Sequence, residues 1–189
     1  MKRVVVGWGR FNPPTIGHGK LIQMIVDTAN GDDWFLYPSH THPGKKDSNN
    51  LPGDPLTADR KNYWLKKMFP NHASNLVYDP QVKTIIQLFQ KFQQDYDEFI
   101  LVCGDDQYRA YLGIQEKYNG VEFTYRSMNV INAGKRDPNA EGATGMSATK
   151  MRLAARNMDF ISFRNGIPTT VSDIDCKKLR DEVRKGMGL

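Results

Sequence analysis

The sequence predicts an α/β protein built on a doubly wound parallel sheet of about five strands, with helices on both faces and a helical C-terminal extension. Three observations support this fold class. Short runs rich in β-branched and aromatic residues alternate with segments of helical periodicity. The length of 189 residues and the hydrophobic fraction of 39% allow one such domain with its own core. Two long polar loops interrupt the alternation, at residues 40–55 and 132–145.

Each element is predicted from a local pattern. Strands are expected in the short apolar runs, which span residues 2–9, 33–39, 75–79, 97–106 and 121–127. Helices are expected where apolar residues recur every three or four positions, in residues 19–30, 56–69, 81–94, 107 to about 118, and 146–159. Thr57 and Ser147 precede two of these helices at N-cap positions. A short helix and an amphipathic helix that begins near Ser172 complete the chain. We therefore expect one domain at residues 1–157 and a helical extension at 158–189 packed on it.

The composition narrows the functional classes. No apolar run approaches the roughly 20 residues that span a bilayer, and the run of valines at residues 4–6 is too short for a signal peptide. We therefore expect a cytoplasmic protein without a membrane partner. Cys103 and Cys176 lack the spacing of a metal site, and we expect reduced structural thiols.

The net charge of +5 favours an anionic partner, such as a nucleotide, a nucleic acid or free phosphate. A basic cluster lies near the C-terminus, at Lys177, Lys178, Arg180, Arg184 and Lys185. Its simpler interpretation is the solvated face of an amphipathic helix, because no aromatic residues are interleaved with it. A nucleic-acid partner is therefore disfavoured.

The stretch GRFNPPTIGH, residues 9–18, joins the first predicted strand to the first helix. Gly9 permits a close approach of the backbone to a ligand, and Pro13 with Pro14 stiffens the turn. The amides and the dipole at the start of the helix favour an anion, which His18 could face. Taken alone, an ordinary turn with a surface histidine explains the stretch equally well. The stretch matches neither a Walker A loop nor a dinucleotide fingerprint.

The stretch GMSATKMR, residues 145–152, begins another helix in a similar way. Ser147 favours an N-cap, and Thr149 follows within the first turn. Both hydroxyls can bind phosphate oxygens, and Arg152, about one turn later, can pair with the same phosphate. Simple capping with a solvated arginine explains this stretch alone equally well. Two helix starts of this kind in one chain favour a polyphosphate ligand.

The fold class predicts where these stretches meet. Ligands of doubly wound parallel sheets bind at the carboxyl ends of the strands. Residues 9–18, residues 104–106 and the loop that leads to Ser147 would all lie at that edge. Segments far apart in the sequence would then form one site.

Together, GRFNPPTIGH and GMSATKMR resemble the two signatures of the nucleotidyltransferase superfamily that shares the HxGH motif. The first histidine of that motif is often threonine in the family, and here the motif stands as Thr15-x-Gly17-His18. FNPP at residues 11–14 resembles the turn of nicotinamide mononucleotide adenylyltransferases, and FILVCGDDQ resembles the family strand that ends in Gly-x-Asp. The resemblance runs from Val4 to about Arg152 and implies a Rossmann-like fold. Such proteins also occur in tailed phages, so the resemblance is compatible with a viral source and a host cytoplasm.

The resemblance implies transfer of a nucleotidyl group, with AMP from ATP favoured, to a small phosphorylated acceptor such as nicotinamide mononucleotide, with release of pyrophosphate. His18 would contact the α-phosphate, Thr15 would bind the phosphate region or position the acceptor, and Lys46 and Arg152 would complete the catalytic set. Arg60 is a further phosphate candidate. The nucleotide would be bound by Gly9, Arg10, Phe11, Asn12, Gly17, Gly104, Asp106, Arg136, Ser147 and Thr149. Mg²⁺ would be bound with the triphosphate rather than in a dedicated protein site.

Two alternatives stay open. One is a cytidylyltransferase that uses CTP and a phosphorylated alcohol, because one sequence does not reveal the base-selecting contacts. The other is a non-catalytic nucleotide-binding or structural protein on the same fold. His40 and His42 form a His-x-His pair near Asp47, but no strong third ligand is visible, so a solvated loop is favoured and no metal ligand is assigned. The acceptor and the oligomeric state, a homo-oligomer included, are not determined.

Overall fold

Three of the five apolar runs that predict strands form a parallel sheet with one further segment in the computed structural model, which describes residues 1–134 and 145–189. The strands are β1 (Arg3–Gly9), β2 (Asp33–Pro38), β3 (Glu98–Cys103) and β4 (Ser127–Asn132). Their order is β2-β1-β3-β4, and every neighbouring pair is parallel. The predicted α/β class is confirmed, although the sheet has four strands among the described residues where about five were expected.

Seven α-helices lie in the described part of the chain. They are α1 (His18–Ala29), α2 (Ala58–Met68), α3 (Ile85–Phe92), α4 (Asp105–Tyr118), α5 (Ala148–Arg156), α6 (Phe160–Asn165) and α7 (Asp173–Gly186). A short 3₁₀ helix follows α2 at Pro70–His72. The described residues divide into two compact units. The sheet unit comprises residues 1–9, 20–39 and 77–134, and the helical unit comprises residues 10–19, 40–76 and 145–189.

Helices cover both faces of the sheet within the sheet unit. On one face α1 lies so close to β1 that a Cβ added to Gly7 would meet Ile25 Cδ1 at 2.5 Å. Glycine at this position therefore allows the helix to approach the strand. On the other face Val4 and Val6 of β1 share a core with Phe89 of α3, and α4 packs against the same core. This alternation along β1 follows from the two-residue period of a strand.

Two predicted strands differ from the structure. Residues 75–79 form no strand, and the strand expected at residues 121–127 lies instead at Ser127–Asn132. Phe123 and Tyr125 are buried in the core of the sheet unit from an irregular segment. Alternate buried aromatic residues therefore produced a strand-like pattern without strand pairing.

The helical unit has a second apolar core. The helices contribute Trp64, Met68, Met151, Phe163, Leu179 and Val183, and the segment between β2 and α2 contributes Leu51 and Leu56. The predicted caps at Ser147 and Ser172 are confirmed, because each hydroxyl oxygen accepts a hydrogen bond from the amide three residues later. Thr57 lies at the N-cap position of α2, but its side chain makes no cap hydrogen bond.

Residues 158–189 contribute α6 and α7 to the same core as α2 and α5. Arg184 of the predicted basic cluster donates to the carbonyls of Ala155 and Arg156 at the end of α5, at 2.8 and 2.9 Å. Its charge is therefore used within the fold, at a helix end that favours a cation. The division of the chain at residue 157 into a domain and an extension stays a prediction.

The end of α7 packs tightly on the first long loop. A Cβ added to Gly186 would lie 2.0 Å from the carbonyl oxygen of Pro55, which is a backbone atom that cannot rotate away. Gly113 in the interior of α4 is different, because a Cβ there would meet no atom within 4 Å. The two helical glycines therefore differ in packing.

We expect Gly186→Ala to destabilise the protein by about 1–3 kcal/mol through overpacking against the loop. The matched substitution Gly113→Ala should stabilise it by about 0.5–1 kcal/mol, because alanine has the higher helix propensity. Urea unfolding of both variants measures the two effects. Equal effects of the two substitutions would contradict the close contact at Pro55.

Candidate active site

The turn that follows β1 holds the imidazole of His18 inside the helical unit. Thr15 and His18 are almost completely buried, with 0% and 2% of their surface exposed. The backbone N–H of Thr15 donates to Nδ1 of His18 at 2.8 Å, and Thr15 Oγ1 lies 3.2 Å from the same nitrogen. Because Nδ1 accepts a backbone hydrogen bond, the proton of the neutral ring lies on Nε2. His18 therefore carries its N–H donor on the other edge of the ring.

Phe11 sits beside this histidine in an unusual backbone conformation. Its φ angle is 47°, in the left-handed region that costs a non-glycine residue about 1 kcal/mol or more. Its ring is buried and packs edge-on against the imidazole of His18, with 4.8 Å between the ring centroids. The peptide bond between Asn12 and Pro13 is cis. A phenylalanine with this positive φ angle persists only where its surroundings hold it in place.

The two signature stretches lie next to each other within the helical unit. A Cβ added to Gly17 would lie 4.0 Å from the carbonyl oxygen of Met146, directly before the second helix start. Arg152 Nη1 donates to the carbonyl oxygen of Asn12 at 2.6 Å. The amide of Ile16 donates to the carbonyl of Gly166 at 2.8 Å, which joins the first turn to the end of α6. Stretches about 130 residues apart in the sequence thus form one local structure.

The start of α5 has two hydroxyl groups that are half-buried. Ser147 Oγ accepts from the amide of Lys150 at 3.2 Å, and Thr149 Oγ1 accepts from Arg152 Nη2 at 3.0 Å. A hydroxyl that accepts one hydrogen bond still has its own proton to donate. The first amides of a helix also lack intrahelical acceptors. These groups suit the binding of phosphate oxygens.

Arg152 is buried in an ion pair with a residue of the first long loop. Its Nε donates to Asp47 Oδ2 at 2.8 Å, and the two side chains are only 5% and 6% exposed. Burial lowers the pKa of Arg152, and the hydrogen bond and charge of Asp47 oppose that effect. Burial raises the pKa of Asp47, but the hydrogen bonds from Arg152 and from the amides of Leu51 and Asn49 outweigh it and hold the pKa below its usual value. In this conformation all three guanidinium nitrogens bind protein acceptors.

Asn12 is fixed by a second buried network. Its side-chain Nδ2 donates to the carbonyl of Leu56 at 2.9 Å, and its Oδ1 accepts from the amide of Leu56 at 2.9 Å. Nδ2 also donates to Asp54 Oδ1, which forms an ion pair of 2.9 Å with Nζ of Lys61. Burial lowers the pKa of Lys61, and the charge and hydrogen bond of Asp54 act in the opposite direction. The side chain of Asn12 is thus used within the protein.

The other predicted site residues have different surroundings. Arg10 and Lys46 are exposed, and the backbone of Lys46 forms an isolated bridge to Pro52. Gly104 and Asp106 belong to the sheet unit, at the end of β3 and the start of α4. Arg136 lies outside the described residues. The assignments of all these residues to the nucleotide stay predictions.

Arg60 pairs with Glu182 of α7 at 2.6 Å, and its guanidinium lies 4.2 Å from the ring centroid of Tyr63. The hydrogen bond with Glu182 raises the pKa of Arg60. Trp64 Nε1 donates to the same carboxylate at 2.9 Å. These contacts join α2 to α7. Arg60, which the sequence suggested as a phosphate ligand, is thus paired with a carboxylate of the protein.

The structural importance of Asp54 and Lys61 was not predicted from the sequence. Lys61 had a recognisable signal, because it lies three, four and seven residues before Trp64, Leu65 and Met68, on the apolar face of α2. A lysine in that position is expected to be buried and paired. Asp54 had no such signal, because it lies in an irregular polar loop.

The His-x-His pair does not combine with Asp47. Asp47 Oδ2 is paired with Arg152, and Oδ1 accepts from the amides of Asn49 and Leu51. Within residues 1–134 and 145–189, no three His, Cys, Asp or Glu side chains are grouped so that they could hold a metal ion. No helix in this described part is long and apolar enough to cross a membrane.

Comparisons with known proteins support the fold and identify the family. A sequence model named cytidylyltransferase-like matches residues 6–162. No curated protein sequence gives a significant match. One solved structure, from Vibrio parahaemolyticus, is described as a nicotinate-nucleotide adenylyltransferase. Its sequence is 18% identical to this chain and its TM-score is 0.56, over 95% of this chain and 99% of the Vibrio chain. Another is the Plasmodium falciparum nicotinic acid mononucleotide adenylyltransferase, solved with NaAD. Its sequence is 13% identical to this chain and its TM-score is 0.56, over 96% of this chain and 98% of the Plasmodium chain.

We expect Asp47→Asn to lower the free energy of unfolding by about 3 kcal/mol at neutral pH, because it leaves the buried Arg152 without a counter-charge. The folded state holds the pKa of Asp47 below its usual value, so the native protein binds fewer protons there than the unfolded chain. The difference in the free energy of unfolding between wild type and variant should therefore be constant above about pH 5 and shrink as the pH falls below about 4. Urea unfolding from pH 3 to pH 7 measures it.

The matched control is Asp181→Asn. Asp181 forms an ion pair with Arg180, and its own side chain is 61% exposed, so water solvates this carboxylate. This substitution should change stability little at any pH in that range. A pH-independent effect of Asp47→Asn, or an effect equal to that of the control, would contradict the buried pair.

Proposed function

Because the chain belongs to the cytidylyltransferase-like family, we propose that it transfers AMP from ATP to a small phosphorylated acceptor, such as nicotinamide mononucleotide, and releases pyrophosphate. An oxygen of the acceptor phosphate forms a bond to the α-phosphorus. The bond from the α-phosphorus to the bridging β-phosphate oxygen breaks, and pyrophosphate leaves with those electrons. Such a reaction depends on positioning and charge stabilisation rather than on a protein nucleophile.

The observation that carries this proposal is the hydrogen bond from the Thr15 amide to Nδ1 of His18. It fixes the ring orientation and places the ring proton on Nε2. An N–H donor held in a buried and preorganised position can stabilise the charge that develops on an α-phosphate oxygen. A solvated histidine would have to be ordered during the reaction and would contribute less.

The second helix start would hold the β- and γ-phosphates. Ser147 and Thr149 supply hydroxyl donors, and the helix dipole favours the negative charge. Arg152 places the Thr149 hydroxyl through its Nη2, and its positive charge acts on the same region. A direct bond from Arg152 to a phosphate would require a guanidinium nitrogen to leave Asp47, Asn12 or Thr149. Lys46, which is exposed on the first long loop, would approach the phosphates from outside.

Mg²⁺ fits this site as an ion bound to the nucleotide. The described residues offer hydroxyl and amide donors at the helix starts but no grouped set of three carboxylate, thiol or imidazole ligands. A triphosphate can carry Mg²⁺ through its own oxygens and water. The ion would supply charge neutralisation on the phosphates. The described protein groups would bind and orient the nucleotide.

Two features favour AMP transfer. The fold neighbours are described as adenylyltransferases of nicotinate nucleotides. The turn Phe11-Asn12-Pro13-Pro14 also resembles that of nicotinamide mononucleotide adenylyltransferases. A cytoplasmic location, a homo-oligomer and a phage source stay predictions.

We expect wild-type protein, Mg-ATP and nicotinamide or nicotinate mononucleotide to release pyrophosphate. His18→Ala should lower the rate by about 10²–10³-fold, because it removes one preorganised donor to the reacting phosphate. A coupled pyrophosphate assay measures the rates. Circular dichroism of the variant measures its folding.

His72→Ala is the control, because it removes an imidazole from the 3₁₀ helix at Pro70–His72 and should keep the wild-type rate. An unchanged rate in His18→Ala would contradict the proposed catalytic role of His18. Absence of pyrophosphate with every phosphorylated acceptor, in folded wild-type protein, would favour a non-catalytic nucleotide-binding or structural protein.

Transfer of CMP from CTP to a phosphorylated alcohol is the second candidate, favoured by the name of the matching family. Thermal unfolding separates the two nucleotides, because a ligand at about 100 times its Kd stabilises the folded protein by about 2.7 kcal/mol. We expect a larger rise in melting temperature with Mg-ATP than with Mg-CTP at equal concentration. A larger rise with Mg-CTP would make the cytidylyl transfer the better assignment.

A further inference from the structure

Lys61 is a buried charge that the proposed chemistry does not use. Its side chain is 0% exposed, on the face of α2 that packs into the core of the helical unit with Trp64, Leu65 and Met68. Removing an ammonium group from water is costly, and a well-packed apolar residue at such a position is often as stable or more stable. The general stability of the fold therefore does not explain a lysine here.

The partner of Lys61 connects three segments of the helical unit. Asp54 Oδ1 forms an ion pair with the Lys61 ammonium at 2.9 Å and also accepts a hydrogen bond from Nδ2 of Asn12. Asp54 Oδ2 accepts from the amide of His42 at 2.8 Å. The ammonium charge compensates a carboxylate whose side chain is only 3% exposed. Without Lys61, Asp54 would be a buried charge that accepts hydrogen bonds from the neutral groups of Asn12 and His42.

Asn12 transmits this arrangement to the first signature turn. The side-chain amide of Asn12 forms hydrogen bonds with both the backbone N–H and the backbone carbonyl of Leu56. The backbone carbonyl of Asn12 accepts a hydrogen bond from Arg152. Thr15 follows after two prolines, whose rings fix φ. A shift of Asn12 is therefore passed to the Thr15 amide, which holds the His18 ring by Nδ1.

We propose that Lys61 is a positioning residue: through Asp54 it fixes the side chain of Asn12, and thereby the turn that holds the imidazole of His18. This assignment rests on the proposed transfer reaction. Lys61 acts by keeping the acceptor oxygens of Asp54 in register with Asn12. Misplacement of a catalytic group by about 1 Å can cost about 10²-fold in rate.

The test uses the double variant Asp54→Asn/Lys61→Met. Lys61→Met alone would leave a buried carboxylate without a counter-charge and is expected to be unstable. The double variant removes both charges and keeps the side-chain sizes close to the original. An amide has one acceptor oxygen where a carboxylate has two, so Asn12 and the amide of His42 then compete for it.

We expect the double variant to melt within about 5 °C of wild type. Its KM for ATP should stay within about threefold, while kcat for pyrophosphate release falls by about 10- to 100-fold. The same lysine substitution on the exposed face of α2, Lys66→Met, should leave kcat and KM unchanged. A wild-type kcat in the folded double variant would overturn the proposal.

The ring of His18 gives a readout that does not depend on activity. Long-range ¹⁵N–¹H spectra distinguish an imidazole protonated on Nε2 from a mixture of tautomers. Wild type and Lys66→Met should have the Nε2–H form, and the double variant should have a mixture. If wild type releases no pyrophosphate, the proposed function fails, and the spectra alone then decide whether Lys61 positions the turn. An Nε2–H form unchanged in the double variant would overturn that positioning.

Discussion

The fixation of Asn12 is the constraint on which the candidate site depends. Its side chain makes a strand-like pair of hydrogen bonds with Leu56, and its carbonyl accepts from Arg152. Each of these contacts is supported by a buried ion pair, Lys61–Asp54 on one side and Arg152–Asp47 on the other. Removing one partner of such a pair leaves an uncompensated buried charge. The turn, the first long loop, α2 and α5 are therefore interdependent in position.

This constraint separates two uses of positive charge in the helical unit. Lys61 and Arg152 are buried and bind protein acceptors, so they set geometry. Arg10 and Lys46 are exposed, so their charges can reach an approaching anion. In the proposed function, the groups that bind phosphate are then helix starts, hydroxyls and one oriented imidazole. Such dipolar groups are fixed before the substrate arrives and need little reorganisation during the reaction.

The sequence predicted the regular elements well where one local pattern dominated. The helix expected to follow Asp106 and to end near Tyr118 corresponds to α4, and Ser147 and Ser172 cap the helices that follow them. The prediction failed at residues 121–127, where Phe123 and Tyr125 are buried without forming a strand. Burial of alternate side chains is a tertiary property there, because these residues cover the sheet from an irregular segment. The same ambiguity applies to any short aromatic run.

By itself, the sequence determined the α/β class, the order of the helices and the two signature stretches. The reason is that hydrophobic period, capping residues and proline turns act over a few neighbouring positions. Only the tertiary structure decided that Arg152 pairs with Asp47, that Asn12 faces Leu56 and Asp54, and that the Thr15 amide holds His18 by Nδ1. A hydrogen bond or ion pair between distant residues depends on where packing brings them and on which charges it removes from water. The pattern of one sequence does not contain that information.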